Sequence, residues 1–302
     1  MAISALAVGG AEEDRAAGQR YFDRVMFRHT VAAPARATAR AGGESTPGWA
    51  GAASTAPGLL AFTGAIGSAE PHAHAAVQVL LVLEGEVILT DRHGDQRRAD
   101  AAIIPAGIRH ELRAAPGTHG LLAYVDRAGV AVRAASARVV AEGDPAATTT
   151  WVGAVRPLIA AKASRLQPDP AGLPVLCSGL AENGASAAAP ALPASLSRAL
   201  QMIPQLMDGQ LLLGEFAARV GVSASRLGHL FAEHLHLPYP AWRRWARLLH
   251  AIEAVRGGAT LTEAAHGAGF ADSAHLTRTF RAMFGLTPSQ AMAATGRPAS
   301  AR

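Results

Sequence analysis

Gly221-Val222-Ser223-Ala224-Ser225-Arg226-Leu227-Gly228-His229-Leu230-Phe231 and Gly269-Phe270-Ala271-Asp272-Ser273-Ala274-His275-Leu276-Thr277-Arg278-Thr279-Phe280 are two versions of one segment. Leu227, Phe231, Leu235 and Leu237 recur 49 positions later as Leu276, Phe280, Phe284 and Leu286, and Ala217 and Gly221 recur 48 later as Ala265 and Gly269. Each copy has a short alanine-rich helix, a turn carrying Gly, a capping Ser223 or Asp272, and a second helix with an apolar stripe. This is the grammar of a helix-turn-helix. In the first copy Leu227, Leu230 and Phe231 share a face; in the second Leu276, Thr279, Phe280 and Met283 do. The opposite faces carry Ser225, Arg226 and His229, then Ser273, His275, Thr277, Arg278 and Arg281. Those side chains are candidates for contact with a DNA major groove.

Charge points the same way. From residue 190 onward there are 11 Arg and no Lys against 6 acidic residues, a balance of +5, while residues 1–189 hold 17 basic and 17 acidic residues. The whole formal surplus of +5 therefore lies on the helical half, where a polyanion would bind. An ordinary solvated helix face is the competing reading for Arg243, Arg244, Arg247 and Arg256, though it leaves the coincidence with the repeat unexplained.

Residues 194–294 resemble the paired helix-turn-helix region of the AraC/XylS family of transcription regulators. The resemblance is carried most specifically by Ala264-Ala265, Gly269-Phe270, Ser273, Leu276, Phe280, Phe284-Gly285 and Thr287-Pro288. It implies seven helices in two units joined by one long helix, matched here by about Pro238 to Val255. An 18-residue helix spans roughly 27 Å, near the ~34 Å turn of B-DNA, so the two second helices are expected in successive major grooves. By the family pattern the base-facing positions are Ser225, Gly228 and His229 in the first unit, and Ser273, Ala274, His275, Thr277 and Arg278 in the second. Arg makes two hydrogen bonds to guanine and Gly makes none, so the second unit is expected to carry more sequence specificity. His236 stands where the second copy has Gly285, which asks a non-glycine residue to tolerate positive φ after a helix end.

The front half reads as short strands separated by Gly and Pro turns: Pro71 to Leu83, a turn at Glu84-Gly85, Glu86 to Thr90, a turn at His93-Gly94, and Ala102 to His110. Near-continuous apolar runs, Val79 to Leu83 and Leu121 to Val125, suit strands covered on both sides. An antiparallel barrel or sandwich follows. His72-x-His74-x3-Gln78-x6-Gly85 and Pro105-x-Gly107-x2-His110 resemble the two signature motifs of the cupin barrel. In metal-binding cupins these positions supply three His and a Glu to a divalent ion; Gln78 stands in place of the Glu, and Ala99 in place of a usual Gly. The resemblance implies a shell of His72, His74, Gln78 and His110 for Zn²⁺, Ni²⁺, Cu²⁺ or Fe²⁺, with one negative charge fewer than usual. The same four residues are also candidates for binding an organic effector, the reading preferred to the metal, or for plain hydrogen bonding at the barrel mouth.

Between the halves, Trp151, Val152, Val155, Leu158 and Ile159 fall on one face of an amphipathic helix. That face suits a subunit interface or packing against its own barrel. Gln167 to Pro193 is rich in Pro, Gly, Ala and Ser and reads as linker. One cysteine, Cys177, excludes a disulfide framework or a cysteine zinc module. No apolar run approaches the ~20 residues needed to span a bilayer, and no basic residue precedes the apolar Ala2 to Gly10, so a cytoplasmic location is expected.

The expected architecture is α+β in two domains: a cupin-like effector-sensing β domain at 20–126, a helical dimerisation segment and linker at 127–192, and a double helix-turn-helix at 193–296. The expected function is a sequence-specific transcription regulator controlled by a small molecule or metal bound in the barrel; the alternatives are a dioxygenase-like cupin metalloenzyme with a DNA-binding tail, and an architectural factor whose β domain only dimerises. Double-stranded promoter DNA, a small-molecule effector, RNA polymerase and a second copy of the chain are the expected partners.

Overall fold

Nine strands open the part of the chain that the computed structural model describes, which comprises residues 48–56, 58–126, 130–162, 192–202 and 212–296. They are β1 (Ala50–Ala56), β2 (Leu59–Ala65), β3 (Ala69–His72), β4 (Val77–Glu84), β5 (Val87–Asp91), β6 (Gln96–Arg98), β7 (Ala101–Ile104), β8 (His110–Ala114) and β9 (His119–Val125). One sheet has the order β1-β2-β9-β4-β7 and the other β3-β8-β5-β6. All recorded pairings are antiparallel. Leu80, Leu89, Ile103, Ile104, Leu112 and Leu122 are fully buried and form the core. β2 and β5 alternate buried and half-buried residues, whereas β4 is buried from Val77 to Leu81 and β9 from Gly120 to Val125. The run Leu121 to Val125 is buried along its length, as expected of a central strand covered on both faces, whereas the run Val79 to Leu83 emerges at its end, with Val82 half-buried and Leu83 exposed. The segment read from the sequence as one run, Pro71 to Leu83, is broken: β3 and β4 lie in different sheets, and residues 73–76 carry the chain across.

Two helices follow, α1 (Val130–Glu142) and α2 (Thr148–Lys162). Asp91 at the end of β5 accepts hydrogen bonds from the backbone N–H of His93 (2.9 Å), Asp95 (3.1 Å) and Thr148 (3.1 Å). The last of these fastens the start of α2 to the end of β5. Trp151 and Val155 are buried, and the Trp151 indole N–H donates to the Pro145 carbonyl at 2.8 Å. Within the described residues, the face considered as a subunit interface is therefore covered by its own chain at both of these positions, and Trp151 lies against His110 of β8. The linker and Cys177 lie outside the described residues, as do residues 20–47 of the expected β domain.

Seven further helices complete the described chain: α3 (Ala194–Met202), α4 (Leu213–Arg219), α5 (Ala224–Leu235), α6 (Tyr239–Arg256), α7 (Leu261–Gly267), α8 (Ser273–Phe284) and α9 (Pro288–Ala294). Ser223 caps α5 by accepting from the Arg226 N–H, and Asp272 caps α8 by accepting from the His275 N–H. Both caps fall where the repeat placed them. The repeat also sets the helix ends: His236 has φ 46° and Gly285 φ 70°, each left-handed. Gly adopts that conformation without steric penalty, whereas His does not, so the first unit carries the strain its sequence implied. The connector α6 has 18 residues. No helix among the described residues is long and apolar enough to cross a membrane.

Candidate functional site

The two sheets bring the four predicted ligand residues together. His72 ends β3 and is paired in register with His110 at the start of β8. His74 lies just beyond β3, and Gln78 enters from β4 in the opposite sheet. All four are buried, at 1–2% exposure. The three histidines offer ligand atoms within 4.8 Å of one another. Alternation along one strand predicted His72 and His74 on a common side; they converge, although the chain turns between them.

Hydrogen bonding settles which ring nitrogen faces the centre. Nδ1 of His72 lies 2.7 Å from the Glu70 carbonyl, Nδ1 of His74 2.6 Å from that of Ala76, and Nδ1 of His110 2.9 Å from that of Ile108. A carbonyl oxygen only accepts, so each Nδ1 carries the proton and each neutral ring presents an Nε2 lone pair. The Gln78 amide oxygen lies 2.8 Å from Nε2 of His74 and 3.1 Å from Nε2 of His110, while the buried Nε2 of His72 has no hydrogen-bond partner. Three nitrogen lone pairs and an amide oxygen thus converge with no donor between them. Turning the Gln78 amide about presents its NH₂ to two of the rings and still leaves His72 Nε2 without a partner. A divalent cation satisfies all four, and the backbone carbonyls on Nδ1 are the outer contacts that orient metal-bound imidazoles. The residues fit a metal.

Electrostatics keep the rings neutral. Burial, and then the neighbouring His74, push the His72 pKa down to about 3. Burial lowers His74, and burial followed by His72 and His74 holds His110 well below its ordinary value. Ligation therefore displaces no proton near neutrality. Tyr124 meets His74 edge-on at 5.2 Å between ring centres, and Trp151 meets His110 at 6.0 Å. Tyr124 also contacts Phe284 of α8 at 5.2 Å and Trp245 of α6 at 6.5 Å. Neither wall residue was singled out from the sequence as part of this site. In the sequence Trp151 stands out by helical spacing alone, and Tyr124 sits in a run that reads only as core.

On the helical half, Ser225, Arg226 and His229 of α5 and Arg278 of α8 are exposed, opposite the buried Leu227, Leu230, Phe231 and Leu276, Phe280, Met283 stripes. Ser273, His275 and Thr277 are half-buried, and the His275 ring packs edge-on against Phe270 at 5.3 Å. Arg281 is exposed but occupied: its guanidinium binds both carboxylate oxygens of Glu70 at 2.7–3.0 Å. Two members of the basic face also have structural duties. Arg247 donates from Nε to the Ala268 carbonyl at 2.6 Å and lies 4.6 Å over the Phe270 ring, tying α6 to the second turn. Arg256 donates to Thr55 of β1 and pairs with Glu253. Arg244 remains exposed.

Residues 216–294 match the family described as a helix-turn-helix domain. This part of the chain is an AraC-type helix-turn-helix domain, a DNA-binding module, on a mixed α+β frame with strands first and helices after. Among solved structures, the chain is similar to ToxT from Vibrio cholerae O395, with 10% identity, a TM-score of 0.47, and coverage of 77% of this chain and 93% of that one. It is similar to the unsaturated-fatty-acid-bound ToxT from Vibrio cholerae strain SCE256, at 11% identity and TM-score 0.46, covering 78% and 92%. An AraC-type transcriptional regulator from Chromobacterium violaceum is 24% identical with a TM-score of 0.31, covering 32% of this chain and 90% of that one. No curated protein matches the chain.

Proposed function

We propose that the protein is a one-component transcription regulator whose DNA affinity is set by a divalent metal ion held by His72, His74, His110 and Gln78. The paired helix-turn-helix units supply the DNA-binding surface, with Ser225, Arg226 and His229 on the first reading helix and Ser273, His275, Thr277, Arg278 and Arg281 on the second. The observation that carries the metal reading is the buried, partnerless Nε2 of His72 beside two further Nε2 lone pairs whose tautomers are set by backbone carbonyls. An organic effector needs open volume at these groups, whereas their convergence within 4.8 Å suits a single ion. Three neutral imidazoles with an amide oxygen favour Zn²⁺, Ni²⁺, Cu²⁺ or Fe²⁺ over oxygen-seeking Mg²⁺ or Ca²⁺.

The test is elemental analysis of untagged protein after equilibration with each ion at neutral pH, beside a His72→Ala/His110→Ala double variant. About one ion per chain in the wild type and none in the variant supports the reading. Equal metal content in both proteins overturns it.

A further inference from the structure

The faces of α8 do not divide cleanly between core and DNA. Leu276, Phe280, Met283 and Phe284 are buried. At about 100° per residue, Ala274, Arg278, Arg281, Ala282 and Gly285 fall together on the opposite side. The first two stand at the start of that stripe, where a recognition helix meets bases. The last three are held by the barrel. Arg281 makes its two-pronged bridge to Glu70, the Glu70 N–H donates to the Gly285 carbonyl at 3.0 Å, and the Ala73 N–H donates to the Ala282 carbonyl at 3.3 Å.

Gly285 is the point of closest approach. A β-carbon there would lie 2.4 Å from the Glu70 carbonyl oxygen and 2.8 Å from Nδ1 of His72. Such distances are far inside van der Waals contact, so Gly285 serves two ends: it allows the left-handed helix end, and it lets β3 lie against α8. Arg281 would otherwise be free to meet a phosphate, and Glu70 offers it the same planar pair of oxygens.

We propose that β3 is an autoinhibitory latch: Glu70 occupies Arg281 as an internal substitute for a DNA phosphate, and the strand blocks the outer stripe of the second recognition helix. DNA entry then requires β3 and α8 to separate. This rests on the DNA-binding reading above and adds its regulation. The latch is also joined to the histidine cluster by the shortest possible route. The Glu70 carbonyl that faces Gly285 is the acceptor that orients the His72 ring, so a change at His72 acts on the latch through one residue.

The bridge is solvent-accessible, with side-chain exposures of 55% and 60%. Exposed pairs contribute little, so its removal alone is expected to tighten DNA binding by about three- to fivefold. The full-length chain is tested as wild type, as Glu70→Gln, and as Glu84→Gln, which removes the same charge from an exposed position at the end of β4. Affinity for a labelled duplex of mixed sequence is measured by fluorescence anisotropy, and backbone amide exchange over residues 69–74 is followed with and without saturating duplex. The expected result is tighter binding for Glu70→Gln than for Glu84→Gln, and faster exchange of the β3 amides when DNA is bound. Equal affinities of the two variants, with β3 protection unchanged at saturation, would remove the latch and leave DNA binding standing. No binding by any of the three proteins would remove the DNA-binding reading and the latch with it.

Discussion

His72 and His110 face each other across the β3–β8 pair, with ring centres 4.3 Å apart and both side chains almost wholly buried. Two neutral imidazoles at this distance, each with its outer nitrogen held by a carbonyl, present inward lone pairs that repel. The fold tolerates this arrangement at some cost in stability, and a shared cation removes the cost. Metal binding is therefore expected to stabilise the barrel by mass action, in proportion to ion concentration over its dissociation constant.

Acid should destabilise the metal-free protein from an unusually high pH. The folded-state pKa of His72 is lowered from 6.5 to about 3, so as pH falls below 6.5 the unfolded chain takes up a proton that the folded chain refuses. Stability from this group is complete above about pH 6.5 and is lost on the way down to about 3, at roughly 1.4 kcal/mol per pH unit, with His74 and His110 acting in the same direction. Urea unfolding at pH 7 and pH 5 measures the slope. A wild-type slope no steeper than that of His72→Ala/His110→Ala would contradict this expectation.

Gln78→Glu should tighten divalent-metal binding by roughly tenfold or more, equivalent to about 1.4 kcal/mol, because it restores a negative charge to the shell. The same change should lower the melting temperature without metal, since a carboxylate, alone or paired with a protonated His74 or His110, is then buried at a position now 1% exposed. Calorimetric titration and thermal unfolding with and without chelator check both signs.

Trp151→Ala should destabilise the chain by about 3–5 kcal/mol, the usual range for removing a fully buried large aromatic side chain. Its ring lies beside His110 and its N–H is bonded to Pro145, so the effect should appear in unfolding midpoint with no change in the sedimentation of the folded fraction. Folded protein that changes its oligomeric state instead would return this helix to a role between subunits.

Arg278→Ala should weaken binding to specific DNA by about 1–3 kcal/mol and leave stability intact, because the side chain is exposed and opposite the buried stripe of α8. Gel-shift titrations on specific and scrambled duplexes separate the outcomes. Equal losses on both would assign Arg278 to the phosphate backbone.

The local grammar of the helical half is largely legible in the sequence. Caps at Ser223 and Asp272, the αL ends at His236 and Gly285, and the apolar stripes depend on neighbours within a few residues. The histidine cluster was legible through the resemblance of its two motifs to those of the cupin barrel and through the two-residue spacing of His72 and His74, while the register of His72 with His110 came only with the fold. The pairing of Glu70 with Arg281 spans 211 residues, and nothing in either local pattern announces it. Arg247 illustrates another limit, because an arginine on a helix reads as solvated charge until a ring such as Phe270 is found beneath it. The amphipathic face of α2 shows that something covers it, while only the fold shows that its own chain does so at Trp151 and Val155.

The most direct measurement joins the two halves. Genomic fragments retained by the purified full-length protein are sequenced, the enriched duplex is synthesised, and its affinity is measured after chelation and again after restoring the ion found by elemental analysis. The expected result is an affinity change of at least about fivefold, roughly 1 kcal/mol of coupling, in the wild type and none in His72→Ala/His110→Ala. Identical wild-type affinities with and without bound metal would contradict the claim that the histidine cluster controls DNA binding.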